Sequence, residues 1–406
     1  DIMKRIITLL IIVLHPLIGF SQQKPKPTSK PQEVILNEAE GYKKIKSTLP
    51  KSRGLLRPSS GFNQRIVKPD GSAGGLNIKG NVTFIANNVL SVDGWGYDNG
   101  WYTYDPTDPY DGTSSNGSVD MQYIDIDGDA STFSSSSDAL SLPTCSRVVY
   151  AGLYWAGVYR YETWGGQESR IGNPYEIKFK LPGGNYQDIV ADATNAASRE
   201  LIFDDGLAYI CYKDITADVQ GLATVNPDGH NGTYVAANIR ATRGNDPNGL
   251  GGSGGWTMVI IYENQTESSK NIAIFDGFAD VRNGNNVDLS YSGFTTVPVG
   301  PNPANPAPVR ATLLAAALEG DRSINWDSFQ INNREDGTGK YVDQYTPNVN
   351  PRTWDNTYWR WRYNFFNGSI SRNDQYVTTR TPNSENTLGF DVDLYQLRNT
   401  NNSVRT

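Results

Sequence analysis

Residues 123–159 read YIDIDGDASTFSSSSDALSLPTCSRVVYAGLYWAGVY, and no helical period runs through them. Carboxylates stand at every second position in Asp125, Asp127 and Asp129, then come a serine run, a proline stop at Pro143 and a cysteine. The run from Arg147 to Tyr159 is rich in the β-branched, aromatic and small residues that suit a pleated surface. The stretch reads as sheet with a candidate cation loop at its edge.

Working outward, the same grammar repeats. Apolar runs of about 5 to 11 residues, broken by Gly, Asn, Asp and Pro, predict strands over 82–92, 119–126, 147–159, 175–181, 207–215, 233–241 and 255–262. Further strands are predicted over 271–281, 287–291, 309–318, 329–332, 358–366 and 388–394, of which only 309–318, VRATLLAAAL, also fits a helix. Many short strands separated by turn signals indicate an all-β fold, a β-sandwich or jelly-roll-like domain with long decorated loops. The expected organisation is a signal peptide over 3–21, a Pro/Lys-rich linker over 22–75 and one β-sandwich domain over 76–406. The chain stops just after a predicted strand and reads as a piece of a longer protein.

The leader rests on Lys4 and Arg5 before the apolar run Ile6–Leu14, which is shorter than the roughly 20 residues a spanning helix needs. The linker, KPKPTSKPQ onward, has too few apolar residues to bury a core; it reads as an extended tether, with a short helix conceivable near 38–45. Residues 1–57 hold 11 Lys/Arg against 4 Asp/Glu, which leaves 25 against 39 in the remainder, a net of −14. A body so acidic repels nucleic acid, so no nucleic-acid partner is expected.

Histidine excludes whole classes of chemistry. There are two, His15 in the leader and His230 in the turn-rich NPDGHNG, so a His-based triad or zinc site would lack partners. His230 itself reads as a solvated loop residue. No phosphate-cradling GxxxxGK[ST] occurs, and GLGGSGG at 249–255 runs into a strand. Cys145 and Cys211 lie in strand-like runs; export permits a disulfide between them, and two separate buried thiols are the alternative.

Two clusters are candidates for binding. Asp125, Asp127, Gly128 and Asp129 match the opening of a DxDGD calcium loop, in which close-set oxygens replace the hydration shell of a hard cation. Ala130 stands where glycine makes the sharp turn and Ser136 where a bidentate Glu would close the shell, so calcium would need ligands from elsewhere; the alternative is a solvated acidic strand end. The loop WGYDNGWYTYDPTDPY offers Trp95, Trp101, Tyr102 and Tyr104, with Tyr97, among Asp, Asn and Gly, a composition that stacks on sugar rings or pins the loop to the body. In WRWRYNFF the alternating Trp359, Trp361, Tyr363 and Phe365 read as a buried strand face. Asp391 and Asp393 in FDVDLY point to one face and read as ordinary exposed residues.

NVTFIANNVLSV, YIDIDGDASTFSSSSDALSLP, VVYAGLYWAGVY and NTLGFDVDLYQLRN together resemble the amino-terminal region of very large Bacteroidetes cell-surface proteins. These include the SprB-type mobile adhesins of gliding motility. The resemblance spans most of residues 80–400 and implies export, passage through the type IX secretion system and display on the outer surface for adhesion or propulsion. It implies partners in the secretion and motility machinery or other surface subunits, and a polysaccharide or solid surface as what is gripped. It brings no catalytic residues, so a non-enzymatic role is expected. The competing class is a secreted carbohydrate-active enzyme with paired carboxylates in an aromatic cleft, or a carbohydrate-binding module.

Overall fold

The structure, a computed structural model, describes residues 9–15, 62–96, 100–102, 108–163, 172–193, 201–203, 208–245, 251–277, 310–320, 322, 329–332, 339–342, 366–372 and 375–397. The expected strands at 287–291 and, but for Phe366, at 358–366 lie outside these residues, as do Tyr97, Tyr104, the aromatic face from Trp359 to Phe365 and most of the linker.

The chain is all-β. After β1 (Leu9–His15) and β2 (Asn63–Gln64) come the long β3 (Leu76–Asn88) and the short β4 (Leu90–Val92), β5 (Gly94–Gly96) and β6 (Gly100–Tyr102). β7 (Met121–Tyr123) leads through the acidic loop into β8 (Ser135–Leu140), then β9 (Arg147–Val158), β10 (Glu176–Lys180), β11 (Tyr186–Val190), β12 (Leu201–Phe203) and β13 (Ala208–Asp214). A single-face helix α1 (Thr216–Leu222) precedes β14 (Gly232–Ala237), β15 (Gly254–Glu263) and β16 (Ser269–Asp276). The last strands are β17 (Arg310–Gly320), β18 (Phe329–Asn332), β19 (Gly339–Val342), β20 (Ile370–Arg372), β21 (Gln375–Tyr376) and β22 (Gly389–Leu397).

A 12-stranded sheet runs β12-β13-β9-β15-β3-β16-β1-β17-β22-β20-β21 with β2 added beside β16, and a 4-stranded sheet runs β11-β10-β14-β8. The named pairs in both are antiparallel except β20 with β22. Residue chemistry explains the layering. On one face of β9, β13 and β15, Leu153, Trp155, Tyr209, Trp256 and Met258 pack against Ile177, Phe179 and Tyr234 of the small sheet. The Phe179 and Trp256 rings meet edge-on at 5.9 Å. On the other face Phe84, Tyr154, Ile210 and Val259 pack against Leu314, Ile370, Phe390 and Val392, so the large sheet folds back on itself. Phe390 lies so close to β15 that a Cβ on Gly255 would sit 2.4 Å from its ring. β9 and β15 are therefore buried on both faces, which is why their sequences are continuous apolar runs and not alternations. A bulge opposite Ile261 and Tyr262 skips Val149 and resets which side chains of β9 face which core. Each fully buried aromatic such as Trp155, Trp256 or Phe275 contributes on the order of 1.5–3 kcal/mol by leaving water.

The strand predicted over 309–318 is β17 (Arg310–Gly320), paired on both sides, so the helical alternative falls. Other expectations change. The Ser134–Ser137 run is fully buried; Ser135–Ser137 open β8, held by pairing to β14 and by the Trp256 indole donating to Ser136 Oγ at 3.0 Å. The body begins by Phe62 rather than at 76: Phe62 and Val67 are buried, and β2 pairs with β16. Leu9–His15, inside the span read as a leader, form the strand between β16 and β17. No helix among the described residues is long and apolar enough to cross a membrane.

Candidate functional site

The two predicted binding clusters grow from one ribbon. β4 pairs antiparallel with β7, Val92 opposite Met121 and Leu90 opposite Tyr123. The aromatic segment leaves β4 at one end of this ribbon and the acidic loop leaves β7 at the other, so the structure does not merge them. What the sequence presents as a long loop is in part a hairpin: β5 and β6 pair with Trp95 opposite Trp101 and Gly94 opposite Tyr102. Directly opposed positions of an antiparallel pair sit about 4.5–5.5 Å apart, so the register makes Trp95 and Trp101 neighbours.

The acidic loop is a turn locked by its own side chains. Ser135 Oγ donates to Asp125 Oδ1 at 2.9 Å. Asp127 Oδ1 accepts from the Asp129 backbone N–H at 3.0 Å and from Thr132 Oγ1 at 3.1 Å, while Tyr186, on the edge strand β11, donates to Asp127 Oδ2. Asp129 Oδ1 accepts from the Ser131 N–H at 2.8 Å. Gly128 takes φ +59° in the open, where a side chain would be strained. Asn238 ties the turn down, accepting from Phe133 N–H at 2.8 Å and donating to Ser131 O at 3.2 Å. Desolvation pushes the Asp127 carboxyl up, but the bonds from Tyr186, Asp129 and Thr132 outweigh it and hold the group below its ordinary value. The Ser131 bonds do the same for exposed Asp129. Among the described residues no three His, Cys, Asp or Glu side chains converge as metal ligands; local donors bond both oxygens of Asp127 and Oδ1 of Asp125 and of Asp129.

Three expectations about polar residues are corrected. No disulfide joins Cys145 and Cys211: Cys145 is exposed at a turn with φ 65°, and Cys211 is buried in β13 opposite Trp155. His230 is buried, not solvated; its carbonyl accepts from the Tyr234 hydroxyl at 2.7 Å. Neither ring nitrogen has a partner among the described residues, and burial holds the imidazole below its usual pKa. Asp391 and Asp393 are also wholly buried. The Ser369 N–H donates to Asp391 Oδ2 at 3.1 Å, and the Ser371 hydroxyl to Asp393 Oδ1. Burial, then the Asp393 carboxylate beside it, raises Asp391 well above the ordinary carboxylate range.

Two further polar networks escaped the sequence reading. Arg65 pairs with Asp276, which also accepts from Tyr154 at 3.1 Å; Tyr150 bridges Tyr154 and Tyr212 at 3.3 and 3.2 Å, and the Arg65 guanidinium lies 3.8 Å over the Tyr212 ring. Asp138 accepts from Ala86 N–H at 3.0 Å, Ala139 N–H at 2.7 Å and Thr379 Oγ1 at 2.5 Å. Beside it Asn87 donates to Ser137 O, Thr381 O and Pro382 O at 3.0, 2.9 and 3.1 Å, and accepts from Arg380 at 3.1 Å. This clamp stitches residues 377–387 to β3 and β8. Most of the partners lie between 50 and 295 positions apart, so only the alternation of polar and apolar residues in DALSL hinted at an inward Asp138. No family model, curated protein or solved structure matches this chain.

Proposed function

We propose that the chain is a non-catalytic binding domain of a large surface-displayed adhesin, exported to the outside of the cell and gripping a polysaccharide or solid surface through loops at the rim of its strand layers. The reading rests first on the resemblance of residues 80–400 to Bacteroidetes surface proteins, with type IX secretion and gliding motility as the setting it implies. The single structural observation that carries it is the pairing of β5 with β6, which puts two tryptophan positions directly opposite each other.

Recognition falls to the β5–β6 hairpin, where register sets Trp95 against Trp101, because stacking on sugar rings asks for adjacent aromatic positions on a fixed backbone. The test is retention on insoluble polysaccharides and on cell-surface glycans by affinity electrophoresis. Trp95→Ala with Trp101→Ala is expected to weaken retention at least tenfold while leaving the thermal midpoint in place. Unchanged retention, or release of sugar by the purified protein, overturns the proposal.

A further inference from the structure

β1 lies inside the large sheet, between β16 and β17. It pairs antiparallel on both sides, Leu10–Leu14 with β16 residues 275–271 and Leu9–His15 with β17 residues 316–310. β16 and β17 therefore run parallel to one another, two strand spacings or roughly 9.5 Å apart, and without β1 they cannot bond to each other. Among the described residues, β1 is the strand that joins the half of the sheet built on β3, β9 and β15 to the half built on β17, β22, β20 and β21.

We propose that the gap between β16 and β17 is a strand-acceptor site that, in the exported protein, takes a donor strand from another polypeptide. The inference rests on the reading of residues 3–21 as a cleaved leader, which would remove β1. The chemistry of the donor follows from the walls. On one face the flanking strands present Ile272, Ile274 and Leu314, all in the core; on the other they present Ala273, Phe275, Leu313 and Ala315, all buried. A strand that alternates apolar with polar residues would bury its polar half, so the donor is an unbroken run of about seven Leu, Ile, Val or Ala residues, extended and antiparallel to both neighbours. Leu9–Leu14, LLIIVL, supplies six such residues in a row, with His15 at the end of the strand. From Gln22 onward, each run of four or more apolar residues falls, in its described residues, on a strand with partners of its own: 148–151 and 153–156 in β9, 208–212 in β13, 234–237 in β14, 258–262 in β15, 272–275 in β16 and 313–318 in β17. In the segment before the body the longest is Val34–Leu36. Residues 22–406 thus hold no spare strand of the required kind, which points to a donor from outside them.

The experiment follows amide hydrogen exchange in the full chain and in a chain that begins at Gln22. In the shorter chain, amides of 271–275 and 310–316 are expected to exchange at least tenfold faster, with those of β9 and β15 unchanged. A lysine-flanked LLIIVLH peptide is expected to restore protection at one peptide per chain, and the same peptide carrying Ile12→Pro, which breaks the ladder, is expected to fail. Equal protection in both chains without peptide overturns the proposal. Should the shorter chain not fold, Ile12→Pro in the full chain gives the second measurement: local loss of protection at both strands supports the acceptor site, and wild-type protection overturns it. Intact mass of the surface-exported protein separates the two premises. A mass beginning after Ser21 supports the donor, whereas retained Leu9–His15 overturns it through the leader reading alone, whatever the exchange result.

Discussion

Asp125 and Asp127 in DID, and Asp391 and Asp393 in DVD, carry the same spacing and meet opposite fates. The first pair sits in a turn at the ribbon's end, where hydroxyls and N–H groups of residues no more than ten positions away, with Tyr186 from the sheet edge, bond the oxygens. The second pair sits in β22 between β17 and β20, with both carboxylates out of water. Alternating aspartates state only that two carboxylates share one side of a strand. Whether that side meets water depends on which layer covers it, and the cover comes from segments distant in sequence.

The contrast can be broken most forcefully at a third carboxylate of the sealed kind. Asp138→Ala would strand two backbone N–H groups and the Thr379 hydroxyl in a buried site beside Arg372 and Arg380, and is expected to cost about 3 kcal/mol or more. A urea midpoint within error of wild type would show that the clamp is not formed.

The two D-x-D pairs should also respond to pH with opposite sign. Asp391 has its folded pKa raised, by burial first and by Asp393 second, so the folded state holds its proton more tightly. Its contribution to stability is full below about pH 4, the unfolded value, and is lost as pH rises through the folded value. Asp127 is lowered in the folded state, so its contribution is present above about pH 4 and lost as pH falls through the folded value. Urea melts between pH 3 and 7 should therefore show Asp391→Asn flattening the decline toward neutral pH, and Asp127→Asn losing stability only above pH 4. Parallel profiles for the two variants would erase the distinction.

Smaller effects sharpen the exposed side. Tyr186→Phe removes the hydroxyl that reaches Asp127 from β11 and is expected to cost about 1 kcal/mol by chemical denaturation. Asp129→Ala, at a fully solvated carboxylate, is expected to leave the midpoint unchanged; a large shift would mean that the turn is structurally coupled to the layers beneath.

Much of the fold was legible because apolar run length and turn residues are local. Arg147–Val158, Gly254–Glu263 and Ala208–Asp214 stand close to where their composition placed them. The Ser135–Leu140 strand was not legible, since serine carries no apolar signal and is drawn inward by the Trp256 indole and the β14 ladder. Of the candidate site, the D-x-D turn was visible as a loop, whereas the bonds that Tyr186 and Thr132 make to Asp127 were not. Trp95 and Trp101 were visible as aromatics, and their opposition across a hairpin was not.

By itself, then, the sequence determined the strand-forming character, the acidic body and the scarcity of imidazole, all of which follow from composition and short-range spacing. Tertiary structure alone decided which carboxylates are dry, that both cysteines stay apart, that His230 is enclosed, and that an apolar strand lies between β16 and β17. The physical reason is that burial and strand pairing join residues hundreds of positions apart, and no local pattern encodes which distant segment will provide the other wall.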